Sequence, residues 1–242
     1  MALEFLPHSH KCDYWKSCDA DPVSRLMVVI GKQVTGVNLL FRFSFAAIER
    51  NGAMKLLEDK IRSEGKVLDG GVLKVDGFLN HRLDAALITE LGKDIAEHFA
   101  TSGATLILTV ESSGISIAFA AAQAMHLPVL VAKKHKSRNI SDGVYSATVF
   151  SFTHQTENTV LVSSEYLAAT DKVLIVDDFL ANGNAAKGLI SLVEQAGGAV
   201  VGFVAAIEKA EQGGRAVIEA KNVPVYSLAR IKEMRAGEII FD

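Results

Sequence analysis

A continuous apolar run, followed by two carboxylates and a loop of small residues, constrains this chain more than any other feature. The run, Val173–Val176, is typical of a parallel strand that is covered on both faces. Asp177 and Asp178 follow it, and the loop 181–185 leads into a segment whose apolar residues have helical spacing. The pattern therefore predicts a strand, loop and helix unit of an open α/β sheet.

The loop of this unit has the chemistry of an anion site. Open α/β sheets bind ligands at the carboxyl ends of their strands. Gly183 lets the backbone approach a phosphate, whose charge is met by the amides and dipole at the start of the next helix. Asp177 and Asp178 cannot attract that phosphate. Their partners would be sugar hydroxyls, a cation carried by the ligand, or positive charge that develops during reaction. The unit therefore predicts a site for a phosphorylated sugar.

The same residues have three other interpretations. The carboxylates could simply end a strand, and the small residues could simply turn the chain. A nucleotide P-loop would need Gly-x-x-x-x-Gly-Lys-Ser/Thr, and residues 183–188 lack that spacing. A phosphoacceptor domain would also use paired aspartates, but no third acidic strand end appears in the usual order.

At these residues the chain resembles the type I phosphoribosyltransferases. Their signature is an apolar strand, two acidic residues and a small loop that holds the 5-phosphate of phosphoribosyl pyrophosphate (PRPP). The variant here, Asp-Asp-Phe-Leu-Ala-Asn-Gly-x-Ala, resembles that of the bacterial xanthine phosphoribosyltransferases. Asn182 and Ala185 replace the hydroxyl residues of the common family loop. The resemblance covers residues 54–242 and implies an α/β fold, a mainly parallel sheet flanked by helices, with a small N-terminal hood at about residues 66–83.

The resemblance also implies a role for each part of the site. Asp177 and Asp178 would be the catalytic pair that binds the ribose hydroxyls and stabilises positive charge. The other expected ligand-binding residues form two sets. PRPP would be held by Ala181, Asn182, Gly183, Asn184, Ala185, Glu111, Ser112, Ser113, Gly114, Lys133 and Lys134. Xanthine would be held by Leu73, Asn80 and Lys209.

The pyrophosphate half of this set is also supported by the residues themselves. The turn 111–114 lies between a predicted buried strand, 105–110, and a predicted helix, 115–125, so it is a second candidate anion turn at a strand end. Lys133 and Lys134 end a third strand, where a pyrophosphate must be held and released, although a solvated face would also explain a run of cations. The polar segment 139–157 beside these turns is expected to act as a lid that excludes water.

Lys209 bears on the choice of base. A predicted strand, 199–207, delivers it to a carboxyl end. A lysine ammonium only donates hydrogen bonds, so it suits the exocyclic oxygens of xanthine, guanine or hypoxanthine better than the 6-amino group of adenine. A lysine extending into solvent from a strand end is the alternative. No residue pattern identifies a contact to the 2-oxo group, so the choice of xanthine rests on the resemblance.

The reaction that the resemblance implies is displacement of pyrophosphate from PRPP by N9 of xanthine. Mg²⁺ would arrive chelated by PRPP and not in a protein cage, because it retains water and prefers phosphate oxygens plus one or two carboxylates. Two other functions stay open: a non-catalytic regulator of the same fold that senses PRPP, and an enzyme that prefers guanine or hypoxanthine. Such regulators carry a basic winged-helix module at the N-terminus, and residues 1–53 lack both its charge and its two amphipathic helices.

Length and composition limit the number of domains and the class of protein to which the chain can belong. A chain of 242 residues can bury one α/β core and a small appendage. Its net charge of −3 supplies no electrostatic footprint for nucleic acid. No apolar run approaches membrane-spanning length, and Met1 is not followed by a signal pattern. We expect a cytoplasmic protein that binds neither nucleic acid nor membranes, and the resemblance implies a homodimer.

Residues 1–53 differ from the rest of the chain because their residues follow no regular period. They hold both cysteines, Cys12 and Cys18, whose spacing matches no common zinc pattern. The family resemblance starts only at Met54. We expect Met54 to be the true initiator and residues 1–53 to be a poorly ordered extension from an upstream start codon; a genuine appended module is the alternative.

Overall fold

The computed structural model describes residues 52–68, 70–134, 143–151, 156–235 and 238–242. The prediction for residues 1–51 therefore falls outside the described part of the chain. Helix α1, residues 52–64, begins two residues before Met54. Its apolar stripe buries Leu57 and Ile61, and Gly65 follows its end.

Strands and helices alternate along most of the remaining chain. In chain order they are β1 (Lys66–Leu68), β2 (Val72–Lys74), a short π-helix (Asp76–Asn80), α2 (Ala85–His98), β3 (Leu106–Val110), α3 (Ile115–Met125), β4 (Val129–Ala132), β5 (Val144–Ser151), β6 (Thr156–Ser163), β7 (Lys172–Leu180), α4 (Asn184–Ala196), β8 (Ala199–Lys209), a 3₁₀ turn (Ala210–Gln212), α5 (Gly214–Glu219), β9 (Val225–Arg235) and β10 (Glu238–Phe241).

One central sheet has the order β10-β9-β8-β7-β3-β4. Strands β4, β3, β7, β8 and β9 run parallel to one another, and β10 pairs with β9 in the antiparallel sense. Every residue of β3 is buried, as expected for a strand that is covered on both faces. The predicted α/β fold with a mainly parallel sheet is confirmed.

Two apolar cores cover the two faces of the sheet. Alternation along β7 sends Leu174 and Val176 into the core shared with α1, α2 and α3, and Val173 and Ile175 into the core shared with α4. Within the described residues, no helix is both long enough and apolar enough to span a membrane.

The predicted hood segment folds as an antiparallel pair, β1 and β2, followed by the π-helix. Two short strands cannot bury a core of their own, so they need support from another layer. Leu73, Phe78 and Leu79 provide it, because all three are buried in the same core as α1 and α2. The hood is thereby anchored to the sheet through its apolar residues.

The segment predicted as a lid, 139–157, contains β5, which forms an antiparallel hairpin with β6. Residues 135–142 and 152–155 lie outside the described part of the chain, so the lid function stays a prediction. The hairpin lies close against α4, since a Cβ atom on Gly188 would be 2.3 Å from Cγ2 of Val149. A backbone bridge between Lys133 and Leu161 joins β6 to the end of β4.

One predicted boundary is wrong for a physical reason. Strand β7 continues to Leu180, because its ladder with β8 runs on through the polar residues that follow the apolar run. Helix α2 ends at His98, and Gly103 lies in the following turn with φ +69°. Strand β9 extends to Arg235, because its last residues pair with β10.

Candidate active site

Asp177 and Asp178 lie on β7 near its carboxyl end and are only 5% and 8% exposed. The backbone N–H of Asp178 donates a hydrogen bond of 3.0 Å to Oδ1 of Asp177. Burial raises the pKa of the Asp177 carboxyl well above its ordinary value, and repulsion from the neighbouring Asp178 carboxylate raises it further. The pair therefore favours a ligand that offers hydroxyl donors or positive charge.

The loop 181–185 has the geometry expected of a phosphate site. Gly183 has φ +80°, a left-handed conformation that side-chain-bearing residues rarely adopt, and it directly precedes the 13-residue helix α4. Its missing side chain leaves the start of the helix without a cap from that residue. The backbone N–H of Asn184 donates to Oδ1 of Asn182 at 3.1 Å, which closes the turn. The dipole of α4 and its first amides suit an anion here.

The second predicted anion turn, 111–114, connects β3 to α3 and meets the acidic pair. A Cβ atom on Gly114 would lie 2.9 Å from Oδ1 of Asp177 and 2.4 Å from Oγ1 of Thr109, so this position requires glycine. The peptide bond between Glu111 and Ser112 is cis. The structure thus brings the turn predicted for pyrophosphate into contact with the strand that carries Asp177.

The predicted cations lie beside the same turn. The backbone N–H of Lys134 donates to Glu111 Oε1 at 2.5 Å, and Lys133 Nζ lies 3.5 Å from Glu111 Oε2. The hydrogen bond from Lys134, aided by the charge of Lys133, holds the pKa of the Glu111 carboxyl below its ordinary value against the opposing effect of burial. Lys133 is about half exposed, so a polyanionic ligand could reach its ammonium.

Two of the three residues predicted to bind the base lie near the acidic strand end. Nδ2 of Asn80 is 3.5 Å from Oδ2 of Asp178, which connects the π-helix of the hood to β7. Lys209 Nζ donates to the carbonyl of Gly71 at 2.9 Å, and it lies 5.8 Å from the ring centroid of Phe179. Burial lowers the pKa of the Lys209 ammonium.

Leu73 is placed differently, because it is 6% exposed and packs into the core beneath the hood. Its predicted contact with a purine stays a prediction. Next to the hood, a cavity of about 520 Å³ is bordered by Asn80, Ser112 and Ser113. Exposed Phe119 of α3 also borders it.

Sequence reasoning missed two residues that shape this site. Arg215 reaches from α5 to Glu208, the residue directly before Lys209, and Gly71 accepts the hydrogen bond of Lys209. The only signal for Arg215 was its position seven residues after Glu208, an acidic residue at the end of an otherwise apolar strand. A buried carboxylate of that kind requires a cationic partner.

Comparisons with known proteins agree with this geometry. Residues 74–229 match the family model of the phosphoribosyl transferase domain. The chain is 47% identical over 188 residues to the xanthine phosphoribosyltransferase of Streptococcus pneumoniae serotype 2 (strain D39), a match that covers 78% of this chain and 97% of the relative. It is 49% identical to the xanthine phosphoribosyltransferase of Pseudomonas savastanoi pv. phaseolicola, with 78% and 100% covered.

Among solved structures, the fold is similar to that of the APRTase from Giardia lamblia complexed with 9-deazaadenine. The TM-score is 0.63 at 20% identity, and the match covers 74% of this chain and 98% of that one. At this level of identity the similarity shows the fold alone. Together with the family match and the two close relatives, it leads to one conclusion: the chain belongs to the phosphoribosyltransferase family, among the xanthine phosphoribosyltransferases.

Proposed function

We propose that this protein transfers the phosphoribosyl group of PRPP to N9 of xanthine, giving xanthosine 5′-monophosphate and pyrophosphate. One observation carries the proposal: two anion turns, 111–114 and 181–185, meet the acidic pair of β7 at the carboxyl ends of neighbouring strands. The identities of 47% and 49% to xanthine phosphoribosyltransferases support the choice of reaction and base.

In this proposal PRPP lies across the two turns. Its 5-phosphate binds to the loop 181–185, where backbone amides and the dipole of α4 meet its charge. Its pyrophosphate binds to the turn 111–114 and is neutralised by Lys133 and Lys134, which lie beside Glu111. The ribose then lies over Asp177 and Asp178, whose carboxylates accept hydrogen bonds from its hydroxyls.

Magnesium enters as part of the substrate, chelated by PRPP. Among the residues that the structure describes, no group of three or more His, Cys, Asp and Glu side chains is arranged to hold a metal ion. Mg²⁺ retains water and binds through phosphate oxygens plus one or two carboxylates, and Asp177 and Asp178 fit that limited role. The ion would offset the charge that builds up on the leaving pyrophosphate.

The reaction then breaks the bond between C1 of the ribose and the pyrophosphate oxygen, whose electron pair leaves with pyrophosphate. Once the imidazole ring of xanthine has lost its proton to solvent, the free lone pair of N9 forms the new bond to C1. Positive charge develops on the ribose ring in between, next to Asp177 and Asp178, which stabilise it. Holding N9 in line with C1 supplies the rest of the rate enhancement, and no covalent intermediate with the protein is needed.

Lys209, Asn80 and Leu73 form the base site in this proposal. The ammonium of Lys209 has three donors, one of which goes to the carbonyl of Gly71, so it can also donate to the 6-oxo group of xanthine. Asn80 extends from the hood toward Asp178, where its amide can reach the base. Leu73 packs into the core beneath the hood, and the proposal gives it the apolar contact with the base.

We further infer, from family membership, that the protein acts as a homodimer in the cytoplasm and that residues 54–242 suffice for activity. Light scattering coupled to size-exclusion chromatography tests the first point, because a dimer has twice the mass of the chain. Comparing the full chain with residues 54–242 tests the last, and equal activity of the two is expected.

The proposed reaction is tested by magnesium-dependent release of pyrophosphate from PRPP with xanthine, guanine, hypoxanthine and adenine in parallel. We expect xanthine to have the highest kcat/KM and adenine the lowest. A preference for guanine or hypoxanthine would replace xanthine with that base. Tight PRPP binding without turnover of any base would favour the regulator instead.

A further inference from the structure

Glu208 is a buried carboxylate near the candidate active site that accepts hydrogen bonds from three side chains. It is 1% exposed and directly precedes Lys209 on β8. Arg215 donates to both of its oxygens, from Nε at 3.0 Å and from Nη2 at 2.5 Å. Ser227 Oγ donates at 2.6 Å, and Arg230 Nε donates at 3.1 Å. Burial raises the pKa of the Glu208 carboxyl, but these hydrogen bonds hold it below its ordinary value, so the carboxylate is charged at neutral pH.

Arg215 lies where α5 meets the phosphate loop. The residue before it, Gly214, donates its backbone N–H to the carbonyl of Ala181 at 3.0 Å. A Cβ atom on Gly214 would lie 2.4 Å from that carbonyl oxygen and 2.9 Å from the backbone nitrogen of Gly183. The start of α5 is therefore pressed directly against the loop 181–185, and Arg215 is the next residue after this contact.

The other end of the ion pair is tied to the base site. Successive residues of a strand point to opposite faces, so Glu208 turns toward α5 while Lys209 turns toward the hood. There the ammonium of Lys209 donates to the carbonyl of Gly71. Because Glu208 and Lys209 are covalent neighbours, the position of the carboxylate limits where the ammonium can lie.

We propose that the ion pair of Arg215 and Glu208 is a brace that holds Lys209 at a set distance from the phosphate loop 181–185. The inference rests on the proposed function, in which these two parts bind the opposite ends of the reacting molecules. The base and the 5-phosphate lie on either side of the ribose carbon that reacts. A brace between their binding sites therefore sets the alignment of N9 with that carbon. Arg215 and Glu208 are positioning residues and contact neither substrate.

The chemistry of the pair suits a geometric role better than a role in stability alone. Replacing a buried ion pair with apolar residues of similar volume is often neutral or stabilising. A guanidinium that binds a carboxylate through two parallel hydrogen bonds fixes both the distance and the orientation of its partner. Arg215 also donates to the carbonyl of Val225 at 2.9 Å, so this contact with β9 fixes the orientation of the guanidinium plane.

The test compares Arg215→Lys with three other variants. Lysine keeps the charge but loses the two-pronged contact, so we expect kcat to fall about 10- to 100-fold, the scale of a misplacement near 1 Å, and KM to rise for both substrates. Asn182→Ala removes the hydrogen bond that closes the phosphate loop and should raise KM for PRPP only. Lys209→Met should raise KM for xanthine only. The control, Lys221→Met, removes the exposed contact of 2.7 Å to Glu194 and should leave all three constants unchanged.

All measurements are made well below the unfolding midpoint of each variant, which is recorded in parallel. A lower midpoint for Arg215→Lys, with kcat and both KM values within about twofold of wild type, would make the pair merely structural and overturn the proposal. A rise in KM for only one substrate would overturn it as well. An inactive wild-type protein would instead refute the proposed function, and the brace with it. If Arg215→Lys does not fold, Glu208→Gln is measured in its place, with the same expected result.

Discussion

The side-chain amide of Asn80 lies 3.5 Å from Oδ2 of Asp178, although 98 positions separate the two residues in the chain. The contact links the hood to the central strand at the point where the acidic pair begins. A molecule that binds to Asp178 therefore lies within reach of Asn80. The hood is thus part of the candidate active site and does more than cover the core.

Replacing Asn80 with alanine removes the only side-chain donor that the described hood directs at Asp178. In the proposed complex the Asn80 amide also reaches the base, and an ordinary hydrogen bond contributes about 1 kcal/mol, so we expect KM for xanthine to rise about fivefold, with a smaller change in KM for PRPP. Steady-state kinetics with each substrate varied in turn checks this. Asn80→Asp places a second carboxylate against Asp178 and should be worse than alanine. Equal effects of the two variants would contradict the assigned contact.

Replacing Asp177 with asparagine should stabilise the fold and lower the activity. Burial and the neighbouring charge raise the pKa of its carboxyl, so ionising it in the folded protein is unfavourable. The folded pKa lies above the unfolded one, so stability falls as the pH rises from the unfolded pKa through the folded pKa. At pH 8 we expect the asparagine variant to unfold at a higher temperature than wild type, while kcat falls on the order of 100- to 1000-fold.

Asp171→Asn is the matched control for that experiment. Asp171 accepts hydrogen bonds from the backbone of Ala168 at 2.8 Å and from the hydroxyl of Thr105 at 3.2 Å, at the opposite end of β7. Its replacement should lower the unfolding temperature and leave kcat unchanged. A fall in the unfolding temperature of Asp177→Asn would show that the buried carboxylate stabilises the fold and would contradict the prediction.

The same raised pKa predicts that ligand binding releases a proton. The magnesium that PRPP carries favours the ionised form of Asp177, so binding should lower its pKa and release the proton that the free protein holds. Calorimetry in two buffers of different ionisation enthalpy counts protons released between pH 5 and pH 8. PRPP also titrates in this range, so the expected result is a smaller release for Asp177→Asn than for wild type. Identical release would place the proton elsewhere.

The fold was largely predictable because its signals are local. The run Val173–Val176 and the helical period of 115–125 each lie within one element, and α3 has the predicted bounds. The end of β7 was not predictable in the same way. Asp177 and Asp178 interrupt the apolar pattern, but the backbone pairing with β8 continues through them to Leu180. Pairing between strands, and not hydrophobicity, decides where this strand ends.

The candidate site was predictable only in part. The two glycine turns could be found because each follows an apolar strand, and the structure places Gly114 against Asp177. The partners of Glu208 could not be found in this way. Arg230 faces it because β8 and β9 pair in one register, and Arg215 reaches it because α5 packs beside β8. Such contacts depend on the tertiary arrangement, which no periodicity in the sequence records.

Gly92→Ala should destabilise the fold through the contact between α2 and α3. A Cβ atom on Gly92 would lie 2.5 Å from the carbonyl carbon of Ala120, so the two helix backbones must separate. We expect the free energy of unfolding to fall by about 2 kcal/mol, as overpacking typically does. Urea denaturation measures it. Gly52→Ala is the control, because its added Cβ would have no atom of the described residues within 4 Å, and it should be neutral or slightly stabilising. Equal stability of the two variants would contradict the close approach.

Glu208→Gln should remove part of the acid sensitivity of the fold. Hydrogen bonds from Arg215, Ser227 and Arg230 outweigh burial and lower the pKa of this carboxyl in the folded state. Its contribution is therefore complete above the unfolded pKa, near 4.3, and is lost as the pH falls toward the folded pKa. At pH 7 we expect the variant to be less stable by about 3 kcal/mol, because a buried ion pair loses one partner. Unfolding measured from pH 7 to pH 3 should show the difference shrinking below pH 5, since wild type then loses the same charge. A difference that stays constant over this range would mean that the Glu208 charge is not what stabilises the contact with Arg215.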